Sequence, residues 1–213
     1  MMTPTLDADQ WHDLLTRLGV RQSTAHAWAD VLADGIGPNT FSDPRDLPNF
    51  IAQCAHESGL FERLEEDLYY RPEGLCRVWP RRFPTLSSAE PYARNPKALA
   101  NKVYGGRMGN IGPNDGWLYR GRGLIQITGA NNYRDMSAAI SLPLLAQPEL
   151  LTLPGVALDA SIVWWESSVP DDDLDDVASV TRIVNGGTTG LAEREELTGD
   201  VREALADIAG AQA

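Results

Sequence analysis

The sequence predicts a mainly α-helical fold with a small β element and an inserted small helical module. Three observations carry this. Apolar residues recur at helical spacing along both ends of the chain. Strand-like alternation is confined to two short segments, Leu64 to Tyr70 and Leu124 to Thr128. Between them, residues 72–115 change character, because Pro72, Pro80, Pro84, Pro91, Pro96 and Pro113 cut the chain into short pieces.

The first helix is expected from about Asp7 to Leu18, with Trp11, Leu14, Leu15 and Leu18 on one stripe and Gly19 as its stop. Ser23 reads as the N-cap of a second helix carrying Trp28, Val31 and Leu32 and ended by Gly35. A polar loop then leads to Pro48, which suits the first turn of a third helix, Asn49 to Ser58, closed by Gly59. In the interrupted region only 96–104 keeps a helical pattern. Periodicity returns over about 131–140, 156–167, 174–184 and 190–209, the last with Leu197, Val201, Leu205 and Ile208 on one stripe. The acidic run Asp171 to Asp176 reads as a helix N-terminus, where carboxylates favour the dipole. Apart from the Ala-rich end from Ala209 to Ala213, no low-complexity tail is present.

A chain of 213 residues that is 43% hydrophobic can bury an ample core, so residues 1–213 are expected to form a single domain with 72–115 inserted in it. No apolar run is long enough to span a bilayer. The segment from Met1 to Asp9 lacks the basic and apolar regions of a secretory signal, so synthesis in the cytoplasm is expected. Cys54 and Cys76 do not make a disulfide framework, and Cys54 reads as a small core residue. His12, His26 and His56 show no metal-ligand spacing, and no cofactor is expected.

The net charge of −12 is uneven. Residues 71–107 hold eight basic residues against Glu73 and Glu90, a net +6 that leaves −18 on the remainder. Such a segment suits an anionic polymer. Nucleic acid fits poorly, although Trp79, Phe83, Tyr92 and Tyr104 accompany the charge, because the acidic remainder would repel a long duplex. A bacterial cell wall fits better.

The chemistry centres on two carboxylates. Glu57 lies at the border of the apolar stripe Phe50, Ile51, Cys54 and Ala55, partly against the core and close to the negative end of its helix. Both features disfavour the charged form and suit a general acid. Glu66 follows nine residues later, and a break at Gly59 lets the chain fold back and face the two acids across a cleft. Alternation alone does not choose among Glu65, Glu66 and Asp67. Two such acids beside a Gly-rich, amide-bearing segment are the equipment for cleaving a glycosidic bond, one donating a proton and the other activating water.

Three stretches share a likeness. Ala55-His56-Glu57-Ser58-Gly59 resembles the His-Glu-Thr/Ser-Gly signature of family 19 chitinases. Gly121-Arg122-Gly123-Leu124-Ile125-Gln126-Ile127-Thr128, followed by Asn131-Asn132-Tyr133, resembles that family's Gly-Arg-Gly-x-x-Gln segment. Val184-Asn185-Gly186-Gly187 with Arg194 resembles its Asn-Gly-Gly stretch. Order and spacing hold over about residues 48–195. The short Glu57–Glu66 spacing is similar to that of family 19-like phage endolysins. Plant chitinases place the second acid further on and carry disulfides that this chain lacks, a departure that points away from chitin.

The resemblance implies a lysozyme-like fold and a set of roles. Glu57 would be the general acid and Glu66 the general base of an inverting hydrolysis, with Thr128 holding the water. Gln126, Asn132 and Asn185 would bond sugar substituents, Arg194 would order the acids, and Tyr119 would line the site or pack in the core. His56 reads as a packing residue, and Trp164-Trp165 as core. The substrate implied is peptidoglycan, cut by a monomer that binds no nucleic acid and inserts into no membrane, and the segment 72–115 would hold the wall. Such an enzyme would leave the host cytoplasm through a separate membrane-permeabilising protein. A chitinase, a lytic transglycosylase that uses Glu57 alone, and a non-enzymatic wall-binding module with a dead site are the alternatives.

Overall fold

A computed structural model describes residues 3–211; Met1, Met2, Gln212 and Ala213, the outer ends of the N-terminal segment and of the Ala-rich tail, lie outside the described residues. Eleven α-helices follow in order: α1 (Ala8–Arg17), α2 (Gln22–Gly35), α3 (Asp46–Ser58), α4 (Pro72–Val78), α5 (Leu86–Ala89), α6 (Pro96–Tyr104), α7 (Asp115–Leu118), α8 (Ala130–Ala139), α9 (Pro154–Ser168), α10 (Val177–Asn185) and α11 (Leu191–Ala211). They divide between two compact units. The first holds residues up to Leu64, 123–125 and 150 onward; the second holds 65–122 and 126–149. The segment 72–115 therefore lies wholly within the second unit.

In the first unit α1 pairs with α2, and α3 packs on α10 and α11. The Asp7 carboxylate accepts from the Gln10 amide, and the Gln10 side chain answers the Asp7 amide, so the α1 start is reciprocally capped. Helix α2 corrects the sequence reading. It starts at Gln22, and its N-cap is Arg21 without a side-chain cap bond. Its entry is held instead by a tertiary pair, Arg21 forking both oxygens of Glu62, which also accepts from Thr24. Helix α3 begins three residues before the expected Asn49 and stops at Gly59, whose left-handed φ of 61° ends the helix without a Cβ penalty.

The first core is aromatic at its centre. Phe50 is fully buried, with its ring 5.1 Å from Phe41 and 5.5 Å, edge to face, from Trp165. The Trp165 indole N–H donates to the buried Asp46 carboxylate at 2.7 Å. Burial pushes the Asp46 pKa up, against the lowering effect of that bond. Asp43, facing Arg45, is held down at about 2 by the side-chain and backbone bonds from that residue.

The second unit has its own core of Leu68, Leu75, Phe83, Leu99, Ala100 and Val103. A file of rings crosses it: Tyr70 to Trp79 at 5.4 Å, Trp79 to Phe83 at 6.5 Å, Phe83 to Tyr92 at 5.4 Å. More helix forms here than periodicity alone predicts. Pro72 sits in the first turn of α4, and Thr85 caps α5. The expected strands shrink to two isolated bridges, Glu65 with Arg122 and Arg122 with Ile127. The cause is local, because Gly123 and Gln126 take positive φ values of 81° and 58° and turn the chain out of extended pairing.

Two outcomes follow. Phe50→Ala removes a ring from a close-packed site and should destabilise the protein by about 3–5 kcal/mol in chemical denaturation. Asp43 has a depressed folded-state pKa, so its contribution is present above the ordinary carboxylate range and is lost as pH falls toward about 2. Asp43→Asn should flatten the acid side of the stability–pH curve in that window and leave its slope near neutrality unchanged.

Candidate active site

The first unit places Glu57 in the last turn of α3, one-fifth exposed. Its Oε1 accepts from Nη2 of Arg194, a guanidinium with 1% exposure in the first turn of α11. Gln53, fully buried one turn before Glu57 on α3, accepts from Nη1 of the same guanidinium. The backbone carbonyl of Thr189 takes Nε at 3.3 Å. A buried guanidinium needs such partners, since an unpaired charge there would be strongly destabilising. This refines the sequence expectation for Glu57. Cys54 supplies the apolar contact one turn back, but the remaining neighbour is a cation rather than core.

His56 packs its ring against Gly190, where a Cβ would collide with the imidazole. Its Nδ1 lies 3.1 Å from a Glu193 carboxylate oxygen, outside hydrogen-bond geometry. Asn185 is the exposed last residue of α10, and the left-handed Gly186 caps that helix. Trp165 is buried and Trp164 packs at the core edge.

The three acids that alternation left open have different surroundings in the second unit. Glu65 is engaged in ion pairs with Arg120 at 2.7 Å and Arg122 at 3.0 Å. Asp67 is exposed and accepts from the Tyr69 amide in its own turn. Glu66 takes a different set of partners. Its Oε1 accepts the Gly121 amide at 2.6 Å, and its Oε2 accepts the Tyr104 hydroxyl at 2.7 Å. Burial, with Glu66 adding to it, pushes the Tyr104 phenol up and keeps it a donor.

Gly121 is where the groups around Glu66 converge. A Cβ built there would lie 2.6 Å from Gln126 Oε1, 3.2 Å from Thr128 Oγ1 and 3.4 Å from the Glu66 carboxyl carbon. Only a residue without a side chain lets the three groups meet. The Thr128 hydroxyl donates to the Gln126 carbonyl at 2.9 Å, and the exposed Asn132 amide donates to the Thr128 carbonyl at 2.8 Å. Tyr119 is half-buried; its ring lies 5.3 Å from Tyr133, and its hydroxyl donates to the Leu145 carbonyl at 3.2 Å. Among the described residues no group of three or more His, Cys, Asp or Glu side chains is placed to hold a metal ion, and no helix is long and apolar enough to cross a membrane.

Gln53 and Tyr104 were absent from the sequence-derived set. Gln53 had a signal, since it sits four residues before Glu57 on the same helical face. Tyr104 had none, being 38 residues from Glu66.

No protein-family model matches the chain. The fold is nevertheless that of known glycosidases. Chitinase C from Streptomyces griseus HUT6037 superposes with a TM-score of 0.61 at 17% identity, over 95% of this chain and 77% of that one. A chitinase C mutant gives 0.59 at 16% identity over 96% and 94%, and a bacterial family 19 chitinase gives 0.60 at 15% identity over 95% of each chain. In sequence, a Haemophilus influenzae protein described as containing a glycosyl hydrolase family 19 domain is 41% identical over 155 residues, 70% of this chain and 74% of its own length. The chain belongs to glycoside hydrolase family 19, with the mainly helical, lysozyme-like fold of that family.

Tyr104→Phe removes one donor from Glu66 and keeps the ring. A hydrogen bond to a charged group contributes about 1.5–3 kcal/mol, so kcat on a glycan substrate should fall about ten- to a hundredfold with KM nearly unchanged. An unchanged kcat in a folded variant would remove Tyr104 from the site.

Proposed function

We propose that this glycoside hydrolase cleaves the β-1,4 bond between amino sugars of bacterial peptidoglycan, as the lysis enzyme of a phage or prophage. Glu57 acts as general acid and gives its proton to the leaving glycosidic oxygen as the C1–O bond breaks. Glu66 takes a proton from a water held by Thr128, and that water's oxygen bonds to C1 from the opposite face. The anomeric centre is inverted, and solvent returns each carboxyl to its starting state. Once Glu57 has given up its proton it carries a negative charge, and the Arg194 guanidinium already fixed beside it offsets that charge without reorganisation. Gln126, Asn132 and Asn185 hold acetamido and hydroxyl groups of the sugars. The enzyme works as a monomer on the wall once a separate protein has permeabilised the membrane.

The observation that carries the assignment of the base is the environment of Glu66. Of three neighbouring acids Glu65 is ion-paired and Asp67 is exposed in its own turn, whereas Glu66 is fixed by two donors and shares the Gly121 gap with Gln126 and Thr128. The choice of peptidoglycan rests on the short nine-residue spacing of the two acids and on the absence of a disulfide framework. A chitinase is the second reading, favoured by the chitinases among the solved structures of similar fold. Mass spectrometry of digested peptidoglycan and of chitin oligomers, before and after borohydride reduction, separates the readings. New reducing ends on peptidoglycan fragments support hydrolysis there, 1,6-anhydro ends would mean transglycosylation, and activity confined to chitin would replace the substrate.

Glu57→Gln and Glu66→Gln should each lower turnover about 100- to 10,000-fold, the usual range for a lost general acid or base. Glu65→Gln should keep most activity and melt earlier, because Arg120 and Arg122 lose their carboxylate. A dead Glu65→Gln beside an active Glu66→Gln would show that the base is one residue away from Glu66.

A further inference from the structure

We infer that the exposed cations of the second unit form a docking surface for an anionic glycan, so that the enzyme grips carboxylate-bearing wall strands in preference to neutral amino-sugar polymers. The inference rests on the proposed peptidoglycan substrate and concerns retention on it, not the bond-breaking step.

Charge is segregated between the units. The second carries eleven basic residues against eight acidic, a net +3, while the first carries seven against twenty-two, a net −15. More telling is where the ion pairs fall. Of the seven basic residues of the first unit, Arg17, Arg21, Arg45 and Arg194 meet a carboxylate, whereas Arg63, Arg182 and Arg202 make no ion pair among the described residues. In the second unit Arg120 and Arg122 meet Glu65. Arg71, Arg77, Arg81, Arg82, Arg94, Lys97, Lys102 and Arg107 make no ion pair among the described residues, in a chain with thirty acids. All are exposed except the half-buried Arg82.

The contacts these side chains do make leave their charge uncompensated. Arg82 donates to the Lys102 carbonyl at 3.2 Å, Arg107 to the Val103 carbonyl at 3.4 Å, and the Lys102 ammonium lies 5.7 Å from the centre of the Tyr92 ring. The two carbonyl bonds are made by the guanidinium groups themselves and leave each without a carboxylate partner. At physiological ionic strength a charge is felt over about 8 Å, so a strand reaching this surface meets the local cations rather than the chain's net −12. Chitin is neutral and gains nothing from such a surface. Peptidoglycan carries peptide carboxylates at regular intervals along its glycan and gains at each contact.

The test compares the full chain with a fourfold variant, Arg77→Gln with Arg81→Gln, Arg94→Gln and Lys97→Gln, both carrying Glu57→Gln so that the polymer stays intact. Each is sedimented with purified sacculi, with carboxyl-amidated sacculi and with chitin, at low and high salt. Exposed charge contacts contribute a few tenths to one kcal/mol each, so the variant should bind intact sacculi about tenfold more weakly. Amidation or high salt should abolish the difference, and the matching Arg→Lys variant, which keeps the charge, should bind as the parent does. With Glu57 restored, cleavage of a short neutral oligosaccharide should be equal in both. Equal, salt-insensitive binding of sacculi and chitin overturns the inference, as does equally tight binding of double-stranded DNA. Charge-dependent binding by a protein that cuts only chitin would overturn the peptidoglycan substrate and leave this surface standing. Undiminished wall cleavage without charge-dependent binding would do the reverse.

Discussion

Arg194 lies almost wholly out of water, and a guanidinium so placed must find an acceptor for each N–H it can direct. Its partners come from separate stretches of one unit: Gln53 and Glu57 from α3, and the Thr189 carbonyl from the turn before α11. The constraint runs in both directions. The buried charge fixes the last turn of α3 against the start of α11, and that same fixation aims the Glu57 carboxylate. Gln53 continues the arrangement inward, its amide nitrogen 3.4 Å from the Thr181 hydroxyl on α10. One buried cation thereby joins three helices and stands as the counter-charge beside the Glu57 carboxylate.

Glu66 is placed by a different device. Among the described residues no cation pairs with it; a phenol and a backbone amide hold its two oxygens. The cations that flank Gly121, Arg120 and Arg122, are drawn off by Glu65, and Arg122 is further tied to the Tyr133 hydroxyl at 2.9 Å. Adjacent carboxylates thus have divided tasks, Glu65 neutralising the buried arginines and Glu66 remaining as an acceptor beside Gln126 and Thr128. Gly121 makes the division possible, because its amide reaches Glu66 while its missing side chain leaves room for the other groups.

The sequence by itself determined the helical architecture at both ends of the chain. The stripes of α1, α3, α6 and α11 and the stop at Gly59 are local properties, set by a period of 3.6 residues and by the one residue type that enters the left-handed region freely. It also marked Glu57, Gln126, Thr128 and Arg194, since each sits in a short motif whose spacing is visible in one dimension. What only the tertiary structure decided depends on groups distant in sequence. The start of α2 is set by Arg21 and Glu62, 41 residues apart, and overrides the local cap at Ser23. The different surroundings of Glu65 and Glu66 are made by partners 38 to 57 residues away. Alternation from Leu64 to Tyr70 could not reveal this, because a period of two sorts residues between faces and says nothing of what waits on each face.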